Sequence, residues 1–198
     1  MMAITKEYIF SEYEARLMNL ALKEKGADGQ VASTVYPIEC LGSVEEESEV
    51  RKCQRKCRGV TDKVRTFGTG NGNVKVKCHM PWLLYVKIHG MEAPELADGI
   101  YGYGYYSQHP EMACTVDCFN EDGEEKFKAY PRIVASTGPA RKIENGAEEV
   151  AEVELEFAYM PDENHMGLYE AVASELSEDI KSKWMNEFTP ALMLAPTV

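Results

Sequence analysis

The sequence predicts a mainly β protein with flanking α-helices, folded as an antiparallel β-sandwich or barrel. Two observations carry this prediction. About eight segments alternate polar and apolar residues as strands do, and turn signals join many of them into hairpins, whereas only a few segments have helical periodicity. The chain has 198 residues and a hydrophobic content of 44%, which is sufficient for a core.

The N-terminal part of the chain is predicted to be helical. Ser11–Lys25 is SEYEARLMNLALKEK, in which Ser11 can cap a helix whose buried stripe includes Leu17 and Ala21. A loop is expected at Ala27–Thr34. Residues 1–34 are therefore predicted to form a helical segment or arm, followed by a β domain at residues 35–188 and a C-terminal arm at residues 189–198.

Two strands and a glycine-rich loop are predicted next. Val35–Glu45 and Glu46–Arg58 are expected to be strands that pair through an acidic turn. Phe67–Asn73 is FGTGNGN, but it lacks the G-K-[ST] sequence and the following helix of a phosphate-binding loop. A strand at Asn73–Met80 follows instead. The glycines are therefore predicted to form a flexible hairpin or loop tip.

A short helix and a tyrosine-rich segment follow. Pro81–His89 has a proline suited to a first helical turn, and Trp82, Leu83 and Val86 are expected to pack on the sheet. Gly99–Ser107 is GIYGYGYYS, which favours a strand or an extended loop. Its tyrosines could stack on single-stranded nucleic acid, but no basic residue lies among them, so packing within a strand is the favoured prediction.

The C-terminal half is predicted to contain a hairpin, a short strand and a helix. Met112–Phe119 and Glu124–Ala135 flank NEDG, in which Asp-Gly is typical of a hairpin turn. A short strand at Gly167–Val172 precedes a helix at Ser174–Phe188. One face of that helix is apolar and consists of Leu176, Ile180 and Trp184.

Two stretches carry charges of opposite sign. Arg51–Arg58 is RKCQRKCR, with five basic residues in eight. Ala147–Tyr159 is AEEVAEVELEFAY, in which apolar residues alternate with Glu152, Glu154 and Glu156. Carboxylates about 7 Å apart on one face of a strand repel each other, so this face must be solvated or must meet cations. Complementary surfaces of this kind allow a protein to bind copies of itself.

The composition argues against several classes of protein. The net charge of −12 disfavours a duplex-DNA binder, which needs a basic surface. No apolar run is long enough to span a bilayer and no signal peptide is recognisable, so no membrane association is expected. No catalytic or cofactor motif is present, so the protein is not expected to be an enzyme or to use a cofactor.

The six cysteines are predicted to be free thiols. Cys114 and Cys118 alternate with other apolar residues, as small core residues would. Cys53 and Cys57 have the same i, i+4 spacing, which on a strand separates two sulfurs too far for one zinc ion. A metal site is therefore not favoured.

The middle and end of the chain resemble the major tail proteins that form the tail tubes of long-tailed phages and prophages. The resemblance covers Val35–Ala173. It is carried by the segments LGSVEEESEVRKCQRKCRGV, VKVKCHMPWLLYVKIHGM and VAEVELEFAYMPDENHMGLYEA, with the glycine segment between the first two and a helix after the third. It implies a β-sandwich of the tail-tube type with a flanking helix.

The resemblance also implies a function. Family members are structural subunits that self-assemble into stacked rings, commonly hexameric, around a lumen that conducts DNA. The implied partners are copies of the chain and the tape-measure, tail-terminator and tail-tip proteins, with DNA only in transit. The implied location is the virion tail, assembled in the bacterial host cytoplasm. The residues alone leave open a β-module that binds nucleic acid or metal.

Two sets of residues are candidates for this role. The family lumen is commonly acidic, so Glu152, Glu154 and Glu156 are the candidate lumen-facing residues, because carboxylates repel the phosphates of DNA. An outer, solvated face is the alternative. The basic strand is expected to meet acidic residues of a neighbouring subunit, for example Glu45–Glu47 or Glu148–Glu149. The candidate inter-subunit residues are Arg51, Arg55, Lys56, Arg58, Gly68, Gly70 and Gly72.

Overall fold

The computed structural model describes residues 11–25, 31–146 and 148–194. These residues form a mainly antiparallel β-sheet flanked by short helices, so the predicted fold class is confirmed. The strands are β1 (Glu12–Lys25), β2 (Val31–Ile38), β3 (Cys40–Cys57), β4 (Val60–His79), β5 (Met112–Asn120), β6 (Glu125–Ala135), β7 (Val153–Tyr159) and β8 (Tyr169–Val172). The α-helices are α1 (Trp82–Ile88) and α2 (Glu178–Trp184), and 3-10 helices occupy Ala173–Glu175 and Pro190–Met193.

Strand β6 is the branch point of the sheet. The hydrogen-bonded order is β2-β1-β5-β6-β7-β4-β3, and β8 adds to β6 next to β7. The first half of β6, Lys126–Ala129, pairs with β8, and the second half, Ile133–Ala135, pairs with β7. The sheet curls so that the first residues of β1 lie beside β3, although these strands are not neighbours in the hydrogen-bonded order.

The main core fills the inside of the curled sheet. Alternate residues of each strand supply it, because successive side chains of a strand point to opposite faces. In β1 these residues are Met18, Leu20 and Leu22. In β4 and β7 they are Val74, Val76, Cys78, Leu155, Phe157 and Tyr159. Helix α1 adds Leu84, Tyr85, Val86 and Ile88.

Helix α2 packs on the opposite face of β6. Trp184 is buried and stacks on Phe127 with ring centroids 5.9 Å apart. Its indole N–H donates to the carbonyl oxygen of Lys128 at 3.3 Å. After the helix, the carbonyl oxygen of Met185 accepts a hydrogen bond from the side-chain amide of Asn19 at 2.8 Å. β6 is therefore covered on both faces.

The predicted helix at Ser11–Lys25 is wrong, because this segment forms β1. β1 pairs with both β2 and β5, so it lies inside the sheet and is not an arm. Met18, Leu20 and Leu22 enter the core at every second residue. The helix propensity of each residue in this segment contributes only a fraction of a kcal/mol. Hydrogen bonding to strands on both sides and burial of every second side chain outweigh that preference. Residues 1–10 lie outside the described residues.

The predicted turn between Glu45 and Glu46 and the predicted glycine loop tip are both wrong. β3 is one continuous strand, and β4 pairs with it over almost its entire length, with the glycines of FGTGNGN inside β4. The hairpin turn is instead Arg58–Gly59, where φ is 51° and 82°. Two successive left-handed residues are what a two-residue type I′ hairpin turn requires.

Two of these glycines allow β4 to make close contacts, Gly72 with β3 and the last residue of β7, and Gly70 with the segment after β7. A Cβ atom at Gly72 would lie 2.3 Å from the backbone oxygen of Glu47 and 2.3 Å from the Tyr159 ring. Gly70 has a φ of 80°, and a Cβ there would lie 3.0 Å from Pro161. By contrast, nothing lies within 4 Å of a Cβ at Gly68. Close packing therefore excludes a side chain at Gly72 and restricts one at Gly70, but not at Gly68.

The predicted short helix is confirmed as α1, but its buried face differs from the prediction. Val86 is buried, whereas Trp82 and Leu83 are exposed. The favoured strand at Gly99–Ser107 is wrong, because this tyrosine-rich segment is an extended loop. This segment has no strand partner within the described residues.

The C-terminal predictions hold with shifted boundaries. β5 and β6 form the predicted hairpin, and β8 lies within the predicted short strand. The predicted helix begins later, at Glu178, where the Ser177 hydroxyl accepts the hydrogen bond of Ile180 N–H as an N-cap. Leu176 precedes the helix but still packs with Ile180 and Trp184. No helix among the described residues is both long and apolar enough to cross a membrane.

The glycine contacts predict a difference between two alanine substitutions. Gly72→Ala should lower the free energy of unfolding by about 1–3 kcal/mol, because its methyl group overlaps backbone and ring atoms that cannot move freely. Gly68→Ala is the matched control and should not destabilise the protein, because its methyl group meets open space. Urea unfolding followed by circular dichroism measures both. Equal effects would contradict the proposed packing constraint.

Candidate assembly interface

The distal part of the β3–β4 hairpin projects from the sheet. We define residues 50–68 as the arm, and all of them are exposed. β7, the other neighbour of β4, pairs only with Gly72–Cys78, so it does not support the arm. The paired rows from Val50 and Gly68 to Cys57 and Val60 span about 25 Å at strand rise. The arm is thus a two-stranded ribbon that lies outside the core.

The arm concentrates positive charge on an acidic protein. It contains seven basic residues and one acidic residue, which gives a net charge of +6. Because the whole chain carries −12, the remainder carries −18. The basic residues are Arg51, Lys52, Arg55, Lys56, Arg58, Lys63 and Arg65. The chain is therefore divided into a cationic ribbon and an anionic body.

The arm has few contacts that neutralise its charge. The guanidinium of Arg55 donates to Asp62, with Nε at 2.7 Å from the carboxylate oxygen. Arg51 lies over the Phe67 ring, 5.6 Å from its centroid. Among the described residues, no carboxylate lies within 4 Å of Arg58, which occupies the turn. Most of the arm's positive charge is consequently available to a partner.

The two faces of the arm differ in chemistry. One face carries four cations, Arg51, Arg55, Lys63 and Arg65. On this face the register pairs Arg51 with Phe67, Cys53 with Arg65, and Arg55 with Lys63. The other face pairs Val50 with Gly68, Lys52 with Thr66 and Gln54 with Val64. The large apolar residues Val50, Val60, Val64 and Phe67 are all exposed. Exposed apolar groups beside cations are typical of a surface that is covered in a complex.

The carboxylates of Glu154 and Glu156 meet cations of their own chain. β7 lies beside β4 in a register that sets Glu154 opposite Lys77 and Glu156 opposite Lys75. The Nζ–carboxylate distances are 3.0 Å and 3.8 Å, respectively. The hydrogen bond to Glu154 raises the pKa of Lys77 above its ordinary value. Glu152 precedes β7, and its carboxylate occupies the space beside Gly42 where a Cβ would lie.

The structure brings together only part of the predicted inter-subunit set. Arg51, Arg55, Lys56 and Arg58 all belong to the arm, and Gly68 lies at its base. Gly70 and Gly72 lie in the body, Gly70 against Pro161 after β7 and Gly72 against Glu47 of β3 and Tyr159 of β7. Glu46, which was expected among the partners of a neighbour's basic strand, is bound inside its own chain.

Two buried lysines form a charge cluster that the sequence did not reveal. Lys126 and Lys128 of β6 are 6% and 5% exposed. The Nζ atom of Lys128 lies 2.8 Å from Glu12, 3.0 Å from Glu46 and 3.4 Å from Glu170. Lys126 Nζ lies 2.8 Å from Glu12 and 3.1 Å from Glu170. We call these residues the ion cluster; it connects β1, β3, β6 and β8.

The ion cluster keeps its members charged. Burial alone would lower the pKa of Lys128, but hydrogen bonds and ion pairs with Glu12 and Glu46 outweigh burial and raise it. Burial likewise opposes ionisation of Glu12, and the two lysines nevertheless hold its pKa below the ordinary value. The Tyr130 hydroxyl donates to Glu46, which completes the carboxylate's hydrogen bonding. The only sequence signal was the alternation of lysines with apolar residues in β6.

A buried histidine, His89, directly follows α1. His89 is 1% exposed, and neither ring nitrogen has a hydrogen-bond partner within the described residues. Burial, with smaller contributions from His109 and Arg141, lowers the pKa of His89 to about 4. The ring contacts Tyr85 at 4.5 Å and His109 at 5.3 Å between centroids. His89 is thus a neutral core side chain.

The cysteines divide into two groups. Cys78, Cys114 and Cys118 are buried, and burial raises the pKa of Cys78 to about 11 and of Cys118 to about 12. Cys53 and Cys57 are exposed on the arm. Among the described residues, no group of three or more His, Cys, Asp or Glu side chains is arranged to hold a metal ion.

The chain is similar to a known protein in structure but not in sequence. No protein-family model matches the chain, and no curated protein matches it. The cryo-EM structure of the anti-feeding prophage cap, described as the tube terminating cap, is similar with a TM-score of 0.41 and 10% sequence identity. The similarity covers 86% of this chain and 99% of that chain. At this level it assigns no function to the protein.

The ion cluster predicts a large effect from removing one lysine. Lys128→Ala should lower the free energy of unfolding by about 3–5 kcal/mol, because it removes the buried cation of Glu46 and one of the two buried cations that hold Glu12. Lys77→Ala is the control, because Lys77 pairs with Glu154 on an exposed surface, and it should change stability little. Chemical denaturation at pH 7 compares them. A similar effect of both substitutions would refute a special role for the cluster.

The buried histidine predicts a pH-dependent stability. The unfolded chain protonates His89 near its ordinary pKa of 6.5, but the folded chain does so only near 4. Above pH 6.5 His89 is neutral in both states and does not lower the free energy of unfolding. As pH falls towards 4 the unfolded chain takes up the proton more readily, and the free energy of unfolding decreases by about 3 kcal/mol in total. Asp117, whose pKa burial raises to about 6, contributes with the opposite sign over the same range.

A substitution separates these two contributions. His89→Phe should remove the histidine contribution, so the free energy of unfolding of the wild type should fall relative to that of the variant from pH 7 to pH 4.5. The exposed His79 provides the control substitution His79→Phe. Urea unfolding at several pH values gives the difference. A difference that does not change with pH would show that His89 does not titrate as inferred.

Proposed function

We propose that this protein is a structural subunit that assembles with copies of itself into the rings and tube of a phage-tail-type assembly. The single observation that carries the proposal is the arm, a fully exposed ribbon of charge +6 on a body of charge −18. A chain divided in this way supplies both sides of a contact between identical subunits. The resemblance of Val35–Ala173 to major tail proteins supports the same role.

Charge and apolar surface have different parts in the proposed contact. Exposed ion pairs contribute only about 0–1 kcal/mol each, so the cations of the arm would set the register and speed the encounter. Burial of Val50, Val60, Val64 and Phe67 would supply more of the free energy, because these side chains are exposed in the single chain. The arm carries both the cations and the exposed apolar side chains.

The outer strands of the sheet support the same proposal. β2 and β3 are the two end strands in the hydrogen-bonded order, so each has an edge without a ladder partner among the described strands. Such edges can pair with a strand of another chain. Joining β3 of one subunit to a neighbouring sheet would extend the sheet around a ring.

Glu152, Glu154 and Glu156 stay the proposed lumen-facing residues. Two of them pair with Lys75 and Lys77, so this face carries less negative charge than the sequence alone indicates. The remaining excess of carboxylate, repeated around a ring, would still repel the phosphates of passing DNA. The tape-measure, tail-terminator and tail-tip proteins are the proposed further partners, in the virion tail.

A second candidate function is nucleic-acid binding by the arm. The observation that favours it is the same charge of +6, because a two-stranded ribbon with several cations can follow a phosphate backbone. This function requires affinity that falls steeply with salt and no dependence on a second copy of the chain. The two candidates therefore differ in what the arm binds.

Reversing the charge of the arm should prevent assembly. Arg51→Glu, Arg55→Glu and Arg58→Glu together should leave the subunit folded, because the arm lies outside the core, and should abolish rings or tubes. The matched control is Arg51→Lys, Arg55→Lys and Arg58→Lys, which preserves the charge and should assemble. Negative-stain electron microscopy and sedimentation velocity follow assembly, and thermal unfolding checks the fold.

The alternatives give different results in the same experiment. Normal tubes from the charge-reversed variant would contradict the proposed interface. Wild-type protein that stays monomeric at high concentration but binds a labelled oligonucleotide in a salt-dependent way would favour the second candidate. If tubes form, their density would also show whether the face that carries Glu154 and Glu156 lines the lumen.

A further inference from the structure

The tyrosine-rich loop forms a second exposed surface, away from the arm. An open groove of about 580 Å³ lies between this loop and the segment that follows α1. We call it the tyrosine groove, and its lining includes Glu92, Glu95, Leu96, Tyr103, Tyr105 and Tyr106. Tyr105 and Tyr106 are 95% and 83% exposed. Aromatic residues exposed to this extent are uncommon on a surface without a partner.

The loop that carries the tyrosines is held in place. The Ser107 N–H donates to the carbonyl oxygen of Gly104 at 3.0 Å, and the Gly104 N–H donates to the Ser107 hydroxyl at 3.1 Å. This turn presents Tyr105 and Tyr106, whose rings form a T-shaped pair with centroids 5.2 Å apart. Because these hydrogen bonds already order the loop, binding a partner to the rings would cost little backbone conformational entropy.

The base of the loop is anchored on the sheet through His109. Its Nδ1–H donates to the carbonyl oxygen of Ala135 at 2.7 Å, which leaves Nε2 to accept from the Tyr103 hydroxyl at 3.2 Å. The Gly102 N–H donates to the carbonyl oxygen of Met91 at 3.0 Å. The groove therefore has one wall fixed to the end of β6 and the other to the segment after α1.

The lining of the groove selects a cation. It contains three tyrosine rings and two carboxylates but no lysine, arginine or histidine. Lys87 lies 4.0 Å from Glu92, whereas no cation among the described residues lies within 4 Å of Glu95. Arginine and lysine bind over tyrosine rings by cation–π attraction and pair with carboxylates, so both features favour the same ligand.

The arm presents such a cation at its tip. Arg58 occupies the first position of the hairpin turn with a φ of 51°, where asparagine, aspartate or glycine is normally preferred. A left-handed arginine costs conformational energy, so the turn itself gives no reason for an arginine. Arg58 lies in the turn beyond the last paired row of the arm, at the end farthest from the body.

The arm and the tyrosine groove cannot meet within one chain. β4 runs from the arm turn at Val60 to His79, and α1 follows directly after that far end. The groove lies beyond α1, anchored beside Ala135 on the body. The arm of one chain therefore points away from its own groove, and only a second copy can bring the two together.

We propose that the tyrosine groove of one subunit binds the tip of the arm of the next subunit, with Arg58 between the tyrosine rings and Glu95. The inference rests on the proposed self-assembly and adds the location and chemistry of its contact. Because the two surfaces differ, the contact is head-to-tail, and a head-to-tail contact produces rings or open stacks rather than a closed dimer.

One arginine substitution tests this proposal without disturbing the arm. Arg58→Asn creates Asn-Gly, the favoured sequence for this turn, so the hairpin should fold at least as well while the cation is removed. We expect the concentration needed for assembly to rise about tenfold, the effect of one lost cation–π and ion-pair contact. Arg58→Lys keeps the charge and should assemble nearly as the wild type does.

The groove is tested by removing its tyrosines. Tyr105→Ala with Tyr106→Ala should raise the concentration needed for assembly by a similar factor, without lowering thermal stability, because both side chains are exposed. Tyr13→Ala removes a tyrosine that is 81% exposed on β1 and serves as the matched control. The exchange of Arg58→Glu with Glu95→Arg should restore assembly that either single change weakens.

The outcomes separate this inference from the proposed function. Tyrosine-groove variants that assemble like Tyr13→Ala, while the charge-reversed arm does not assemble, would overturn the groove as the docking site but not the role of the arm. Failure of the charge exchange to restore assembly would overturn the pairing of Arg58 with Glu95. Wild-type protein that never associates, by light scattering up to high concentration, would overturn both proposals.

Discussion

The fold depends on the ion cluster, because this is the point where the curled sheet closes. Glu12 of β1 and Glu46 of β3 belong to strands that are not neighbours in the hydrogen-bonded order, and the lysines of β6 hold both. Ammonium groups with this little exposure are stable only when they are fully paired. The positions of β1, β3 and β8 relative to β6 are therefore coupled, and the arm and the tyrosine groove are placed by strands that this cluster connects.

Local patterns in the sequence predicted those parts of the fold that local interactions decide. The β5–β6 hairpin follows from alternation and an Asp-Gly turn, and α1 follows from its proline and apolar residues. β1 was not predictable in this way, because its residues are compatible with a helix and its strand partners lie in β2 and β5. The glycines of β4 gave the wrong prediction because Gly70 and Gly72 make close contacts with Pro161 and Tyr159, respectively, which sequence spacing does not show.

The sequence predicted the positive charge of the candidate interface but not its shape. The basic run at Arg51–Arg58 was evident, yet its place on a projecting ribbon requires the pairing of β3 with β4 over nearly their full length. The ion cluster was missed because its carboxylates come from three distant parts of the chain. The tyrosine groove was missed because the tyrosines were assigned to a strand, and only their loop conformation exposes Tyr105 and Tyr106.

The ion cluster also sets the order in which a newly made chain can mature. The arm pairs residues that are close in sequence, so it can form soon after β4 leaves the ribosome. The cluster needs Glu12, Lys128 and Glu170, so the body cannot close until most of the chain has been synthesised. A nascent chain therefore exposes its cationic arm before its anionic body has closed, and the proposed contact between subunits would have to wait until translation is nearly complete.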